Sequence, residues 1–590
     1  MRPGHSSRSA PTARSTLLVR TPRIDRHWSR APPPARPDRA HSIGPNRAPF
    51  DRLDRGPIVD SRIARGAWTL LVLAVLLCAL SASGAAAADS GSIVAIYPDP
   101  IADEDAGEFV VLELSAEANY TLSDGEQTIT IPPNATGRVA VTAAPERVRP
   151  FVDVPIVAVD TFPALANSGD EVVLRAGNRT VDRVVYADPE EGAIGRPVDD
   201  GITWRHVDAT DRDPVVGSGG PAETFLLPDA GGRVCEALST ADRRIELAGY
   251  TLTSRCVTDA LVTAADRGVR VTVLVEGDPA GGFPPAMAER LDRLAATDAT
   301  VRVVTGSGAP YRYHHAKYAV VDDRAVVTTE NFKPAGTGGH SSRGWGTIVT
   351  SDAVVATLSR TIDADAGARG VSNWSAARER IDVANGSAPA ATAYPERIPP
   401  RTVDTERTTL LLAPDNAERA LAARIRTADR RVLIEQAGIG GVDVPLVQAA
   451  IDAAENGTRV RVLLSAAWYA REENRAVVSR LDTIADRRDL PLEAKLSRPH
   501  GRFEKIHAKG VVVDDRAYVG SLNWNFNSIR NNREVVVGLQ GEGPAAYFAR
   551  AFRADWVGGR WRLPVGLAAV ATVCWVALGW VGRRIEFEQG

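Results

Sequence analysis

The chain has 590 residues, enough for several domains. Its 70 Lys and Arg against 73 Asp and Glu give a formal net charge of −3, and 44% of its residues are hydrophobic. These values exclude a wholly disordered chain and argue against a broad basic face for nucleic acid.

Met1 to Arg65 carries 14 Arg and five Asp, is rich in Pro and has no hydrophobic periodicity. Residues 1–66 therefore read as a disordered basic extension or as a mis-assigned start. The apolar run Ala67–Leu80 follows Arg62 and Arg65 and precedes Ala85–Ala88. Residues 67–88 read as a secretory signal peptide, with a retained N-terminal anchor as the alternative. Without the basic extension the remainder has a charge of −12. Only five of its cations are Lys: Lys317, Lys333, Lys495, Lys505 and Lys509. This acidic, Lys-poor composition is compatible with a haloarchaeal source.

Residues 90–211 read as all-β: short apolar runs such as Phe109–Leu112 and Glu171–Leu174 alternate with Gly, Asn, Asp and Pro turns. The segments Ile93–Pro98, Gly107–Val110, Leu122–Gly125 and Asn167–Val172 resemble the lamin-tail domain, an immunoglobulin-like sandwich. The resemblance implies a binding or spacing module; its ligand is not readable. Pro214–Pro221 reads as a Gly/Pro/Ser linker.

Two α/β repeats are expected next, over 223–376 and 407–556, joined by a linker at 377–406. Ala241–Ile245 matches Ala428–Val432, each entering a strand, and a helical pattern and a second strand follow in both copies. Strands alternating with helices predict a largely parallel sheet covered on both faces. Cys235 and Cys256 fall in the first repeat and either pair, closing a loop of about 20 residues, or stay as buried thiols.

The chemistry concentrates in one pattern that occurs twice. Lys505–Asn523 holds His507 and Lys509, two apart on a predicted strand and so on one face, then Asp514 in a turn, then Ser521 and Asn523. At an offset of 192 stand His315, Lys317, Asp322 and Asn331. Imidazole, ammonium and neutral donors suit an anionic phosphorus centre. No His/Cys/carboxylate cluster reads as a metal site.

His-x-Lys-x4-Asp followed by Gly-Ser-x-Asn resembles the phospholipase D superfamily over roughly 223–556. Glu534 resembles the family's trailing acidic position. The first copy departs from the pattern: Thr328-Thr329 stands in place of Gly-Ser, and Gly346 lies near where Glu534 would align. The resemblance implies one catalytic unit built from both repeats and a cofactor-free, two-step phosphodiester hydrolysis. In that scheme one His attacks phosphorus and the other is the acid, His315 and His507 by family analogy, with the reverse left open. Lys317 and Lys509 would neutralise the phosphoryl oxygens. Asn331, Ser521 and Asn523 would bind them. Asp322 and Asp514 would position the turns or the His partners. A phospholipid is the first substrate expected, a nucleic acid the second, and a non-catalytic binding protein the third reading.

Leu563–Val581 has 19 uncharged residues, about 28 Å as a helix, and precedes Arg583-Arg584. It reads as a transmembrane helix, with 582–590 as a cytoplasmic tail. The expected protein is therefore single-pass, its catalytic domains outside the cell membrane.

Overall fold

The computed structural model describes residues 91–558, except 102–104, 117, 188, 200, 208, 211, 306–310 and 385–391, together with 572–578 and 580. The chain divides into two units, and all of these residues fall in the second, Ser83–Gly590.

The first part is built from two antiparallel-rich sheets. One has six strands in the order 201–206, 193–198, 92–97, 109–114, 137–142 and 156–158; the other has four, 128–130, 120–123, 169–176 and 179–187. Alternation along the strands turns Ile96, Val110 and Leu112 of the first sheet onto Leu122, Val172 and Leu174 of the second, all buried. The outer face of the first sheet carries a smaller core around Tyr97, Phe109 and Val148.

The remainder is organised on one 16-stranded sheet with an internal pseudo-twofold axis at its centre. There the long strands Val215–Leu227 and Arg401–Ala413 pair antiparallel. Outward from each lie, in mirrored order, a trailing strand (342–349 or 534–540), a hairpin (318–321 with 324–328, or 509–513 with 516–520) and three parallel strands. These last are 244–249, 270–276 and 300–304 in the first repeat, and 431–436, 459–464 and 492–496 in the second.

Two expectations are corrected. The sheet is mixed, with parallel pairing confined largely to the outer three strands of each repeat. Only those are joined by helical crossovers, whereas the His-Lys segments lie on tight hairpins, which force antiparallel neighbours. And Pro214–Pro221 is not a linker: from Val215 it is strand, as are residues 401–406 of the stretch 377–406. Tertiary pairing with each other, not local apolar pattern, makes these Gly-, Thr- and Arg-rich halves extended.

Helix Arg255–Asp266 illustrates the covering layer. The Ser254 hydroxyl accepts from Val257 N–H as N-cap, and Val257, Leu261, Ala264 and Ala265 face the strands. Each repeat has such an outer core. The inner faces of both share a third, where Trp345 stacks on Phe548 at 4.6 Å. Helices Asp352–Ala366 and Glu542–Val557 pack there. Cys235 and Cys256 are disulfide-bonded, with Cα atoms 6.0 Å apart.

Among the described residues no helix is long and apolar enough to cross a membrane. The segments 1–66, 67–88 and 582–590 lie outside the described residues. So does much of the run Leu563–Val581, of which 572–578 and 580 are helical and exposed.

Candidate active site

His315 and His507 each stand just before the hairpin strand of their repeat, and each is tied to the opposite repeat. His315 N–H donates to Arg533 O at 3.0 Å; His507 N–H donates to Arg343 O at 2.9 Å. A short parallel pairing of Ser342-Arg343 with Lys505-Ile506 supports the second crossing. Buried Glu276 supports the first by accepting from His314 N–H at 2.7 Å.

The two buried arginines hold these crossings. Arg343 donates to Leu227 O (2.9 Å) and Asp229 (2.5 Å), and its Nε lies 2.7 Å from Asp555. Arg533 donates to Ala413 O (3.1 Å), Asp415 (3.0 Å) and Asp365 (3.1 Å). The two clamps are symmetry equivalents, and each joins an aspartate of its own repeat to one on the other repeat's inner helix. Asp229 also accepts from Arg397 and Ile398 N–H, and Asp415 from Thr210 N–H. Each clamp thus also secures the segment leading into the opposite central strand.

The imidazoles meet buried carboxylates. His315 Nδ1 is 2.8 Å from Glu534 Oε1, and His507 Nδ1 is 3.1 Å from Glu330 Oε2. Glu534 is in the expected position, but Glu330 is not its counterpart. Pairing of Leu227 with Gly344 and of Ala413 with Glu534 makes Gly344 the equivalent residue, rather than Gly346. A Cβ on Gly344 would collide with Glu330 Cγ and lie 2.8 Å from its Oε1. Glu330, at the position of Leu522, therefore sends its carboxylate into room that Gly344 leaves open. The signal was legible as a carboxylate next to Asn331, inside the repeated motif.

The substitution of Thr329 for Ser521 is also conservative in effect. Val535 N–H donates to Ser521 Oγ at 3.0 Å, and Trp345 N–H to Thr329 Oγ1 at 3.0 Å. These hydroxyls brace the strand that follows. Asn331 follows Glu330 in the chain and its Oδ1 is buried without a hydrogen-bond partner, and Asn523 donates to Ser528 Oγ at 3.5 Å. Asn532 donates to Glu534 at 3.3 Å.

Asp322 and Asp514 do not join this cluster. They lie beyond the far ends of the strands that follow Lys317 and Lys509, at positive φ in the hairpin turns (54° and 52°). Each accepts from three backbone N–H groups, 242–244 and 429–431. Partial burial pushes both carboxyls up, but these donors outweigh it and hold them below the usual range. They anchor the turns, because four- and five-residue strands separate them from the His-Lys ends.

Lys317 and Lys509 are buried, their ammonium groups donating to His315 O (2.5 Å) and His507 O (2.9 Å). Burial brings Lys509 down to about 8, with Glu330 and Glu534 opposing it. Burial likewise lowers His315 to about 4 against Glu534, and burial with Lys509 lowers His507 to about 3 against Glu330. Burial raises both glutamates, but the imidazoles and lysines more than compensate and keep them ionised. Burial lowers Lys317 well below the ordinary lysine range too, with Glu534 opposing it. The free site therefore holds neutral imidazoles beside anionic carboxylates. Lys333, half-buried, adds charge near Glu330 and Lys505. Tyr250 covers the other side, 4.7 Å edge-on to His315 and 5.3 Å from Lys317 Nζ. Lys333 and Tyr250 had only the scarcity of Lys, and no signal, respectively, in the sequence.

The first part reaches this centre. His206 Nε2 is 2.8 Å from Asn531 Oδ1, Asn531 donates to Glu191 at 2.8 Å, and Arg530 pairs with Glu190 at 3.2 Å. Asn531 precedes Asn532 and Glu534 by one and three residues.

Residues 234–365 and 421–556 match the family model of the cardiolipin synthase, PLD-like domain. Each repeat is a PLD-like domain. The PLD-like domain implies an enzyme acting on phosphodiesters, of the phosphodiesterase type. Solved structures similar to the chain include the phosphatidylserine synthase of Haemophilus influenzae Rd KW20, 14% identical over 55% of this chain and 84% of that one, TM-score 0.43. Others are Nuc of Salmonella typhimurium, a phospholipase D family member (21%, 26% and 93%, 0.21), and NucT of Helicobacter pylori (18%, 26% and 96%, 0.22). No curated protein sequence matches the chain significantly. Among the described residues no group of three or more His, Cys, Asp or Glu is placed to hold a metal ion. The two PLD-like repeats instead assemble two imidazole–carboxylate pairs and their lysines in one electrostatically coupled cluster.

Proposed function

We propose that the chain is an exported, membrane-tethered phosphodiesterase that hydrolyses phospholipid headgroup esters through a phosphohistidine. The observation that carries the reading is the pairing of each motif His, at Nδ1, with a buried glutamate. That contact leaves Nε2 as the reactive atom and stabilises positive charge as the ring becomes substituted or protonated.

His315 Nε2 attacks phosphorus with its lone pair, and the bond from phosphorus to the leaving oxygen breaks. His507, protonated once the anionic diester has entered, gives that oxygen its proton. Water then attacks phosphorus and loses a proton to His507; the P–N bond breaks and its electrons return to His315. Lys317 and Lys509 neutralise the phosphoryl oxygens, with Asn331 and Asn523 as further donors. Thr329 and Ser521 brace the strands that follow. The non-catalytic reading rested on an altered first half-site; Thr329 and Glu330 supply the hydroxyl and carboxylate it lacked.

Residues 91–206 serve in this reading as a lamin-tail-like module that also steadies the active-site segment. The run Leu563–Val581 is the tether, with the catalytic unit outside the cell.

His315→Asn and His507→Asn should each abolish release of headgroup from phospholipid vesicles, and the double change should cost little more. Enzyme quenched in alkaline denaturant should carry a phosphatidyl group at His315 that is stable to alkali and released by acid. Near-wild-type rates in either variant would sink the two-half-site scheme, and cleavage of plasmid DNA in place of lipid would replace the substrate. Turnover should persist in EDTA. Protease added to intact cells should release fragments holding both His residues, and truncation after Trp556 should send the protein into the medium.

A further inference from the structure

A cavity of about 770 Å³ lies one loop away from the site, lined chiefly by Arg471, Arg475, Lys495, Arg498, Trp556 and Val557. Ala466 forms part of its wall, and the loop that continues from Ala466 carries Trp468 and Tyr469. Tyr469 receives Lys505 at 5.2 Å from its ring and is near enough to Glu330 for that carboxylate to act on its phenol.

The charge of this cavity sets it apart. The cavities beside Asp322 and Asp514 mix arginines with aspartates. Here no carboxylate is among the lining residues. Arg475 has a rim partner in Glu472 at 2.5 Å, and Arg471 is held by Ala466 O at 3.0 Å. Lys495 Nζ stands 4.0 Å over the Trp556 ring. Four cations and no carboxylate among the described lining residues give this cavity a positive field, which suits a phosphate.

The surroundings point to what carries that phosphate. Trp468 is 85% exposed and packs edge-on against half-exposed Tyr469 at 5.7 Å. An aromatic pair left in water beside a basic pocket suits the headgroup layer of a membrane, where such rings have an apolar body and a polar rim to satisfy. Trp556 and Val557 belong to the same wall, and the apolar run from Leu563 begins six residues later.

We propose that this cavity binds the phosphate of an anionic lipid headgroup while Trp468 and Tyr469 enter the interface, holding the active site over the bilayer. The proposal rests on the phospholipid reading above and adds a second lipid site to it.

The test uses the full chain in detergent micelles and in vesicles, with Arg471→Gln/Arg498→Gln, Lys495→Met and Trp468→Ala. Glycerol 1-phosphate, titrated by calorimetry, should fill two sites in the wild type and one in the arginine variant. Turnover of a trace phosphodiester lipid should be about tenfold faster in phosphatidylglycerol than in phosphatidylcholine vesicles. The arginine variant should lose that preference, as should Trp468→Ala in part, while hydrolysis of soluble bis(p-nitrophenyl) phosphate and the thermal midpoint stay unchanged. Two phosphate sites in the variant, or a retained vesicle preference, would overturn the proposal. So would loss of single-stranded oligonucleotide binding in the variant with lipid behaviour intact, which would make the cavity a nucleic-acid site. If no diester is hydrolysed, the phosphodiesterase reading fails, and the glycerol 1-phosphate titration still decides the cavity.

Discussion

Glu330 and Gly344 divide one space between them: the carboxylate partner of His507 occupies the volume a side chain at Gly344 would need. In the second repeat the same space is served from the other direction, by Glu534 with Leu522 at the position of Glu330. Two solutions to one requirement, a carboxylate on Nδ1, sit in one molecule.

Exchange of the two solutions gives the first prediction. Glu330→Gln should lower kcat about 10- to 100-fold, since the imidazole loses charge stabilisation. Gly344→Glu alone should also be harmful, by collision. Glu330→Leu with Gly344→Glu copies the second repeat and should recover most of the loss. A double-mutant cycle on kcat checks this, and strict additivity would contradict it.

The second concerns Arg533 and Asp365, a buried pair at 3.1 Å. Arg533→Met leaves Asp365 and Asp415 buried without their cation and should cost about 3–5 kcal/mol. Urea unfolding measures it. Adding Asp365→Leu and Asp415→Leu should restore much of the stability. Activity should stay low, because the carbonyl of residue 533 that holds His315 N–H would no longer be fixed by the clamp.

The third is a pH limb. Lys509 must be charged to neutralise the phosphoryl group, and burial sets its pKa at about 8. The ammonium is present below that value and lost as pH rises through it, so kcat/KM should fall above about pH 8. Lys509→Arg should shift this fall, since a guanidinium stays protonated there and leaves Lys317, which burial also lowers, as the titrating ammonium. An unchanged alkaline limb in that variant would assign it to another group.

The fourth tests the link from the β-rich first part to the site. Asn531→Ala removes the hydrogen bonds to His206 and Glu191. The segment carrying Asn532 and Glu534 should loosen, lowering kcat several-fold with little change in KM. His206→Gln, which can still reach Asn531, should be milder. Faster hydrogen exchange confined to 527–534 would show the effect to be local.

By itself the sequence determined what repeats and what is rare. The 192-residue offset set His315 and Lys317 against His507 and Lys509, and in a chain that otherwise uses Arg it singled out five lysines. Four of those prove to lie at or beside the site, and the fifth in the basic cavity. A strand's period of two was enough to put each His and Lys on one face. The tertiary structure decided which groups from different repeats meet. Pairing of Val215–Leu227 with Arg401–Ala413 is set by contacts between residues 177 to 195 apart, which no local pattern encodes, and it turned a supposed linker into the centre of the sheet. The same closure brought Glu330 to His507 and separated Asp322 and Asp514 from their motif partners. Spacing along a strand fixes direction only over a few residues, whereas a catalytic pair needs a shared volume, and only packing assigns volume.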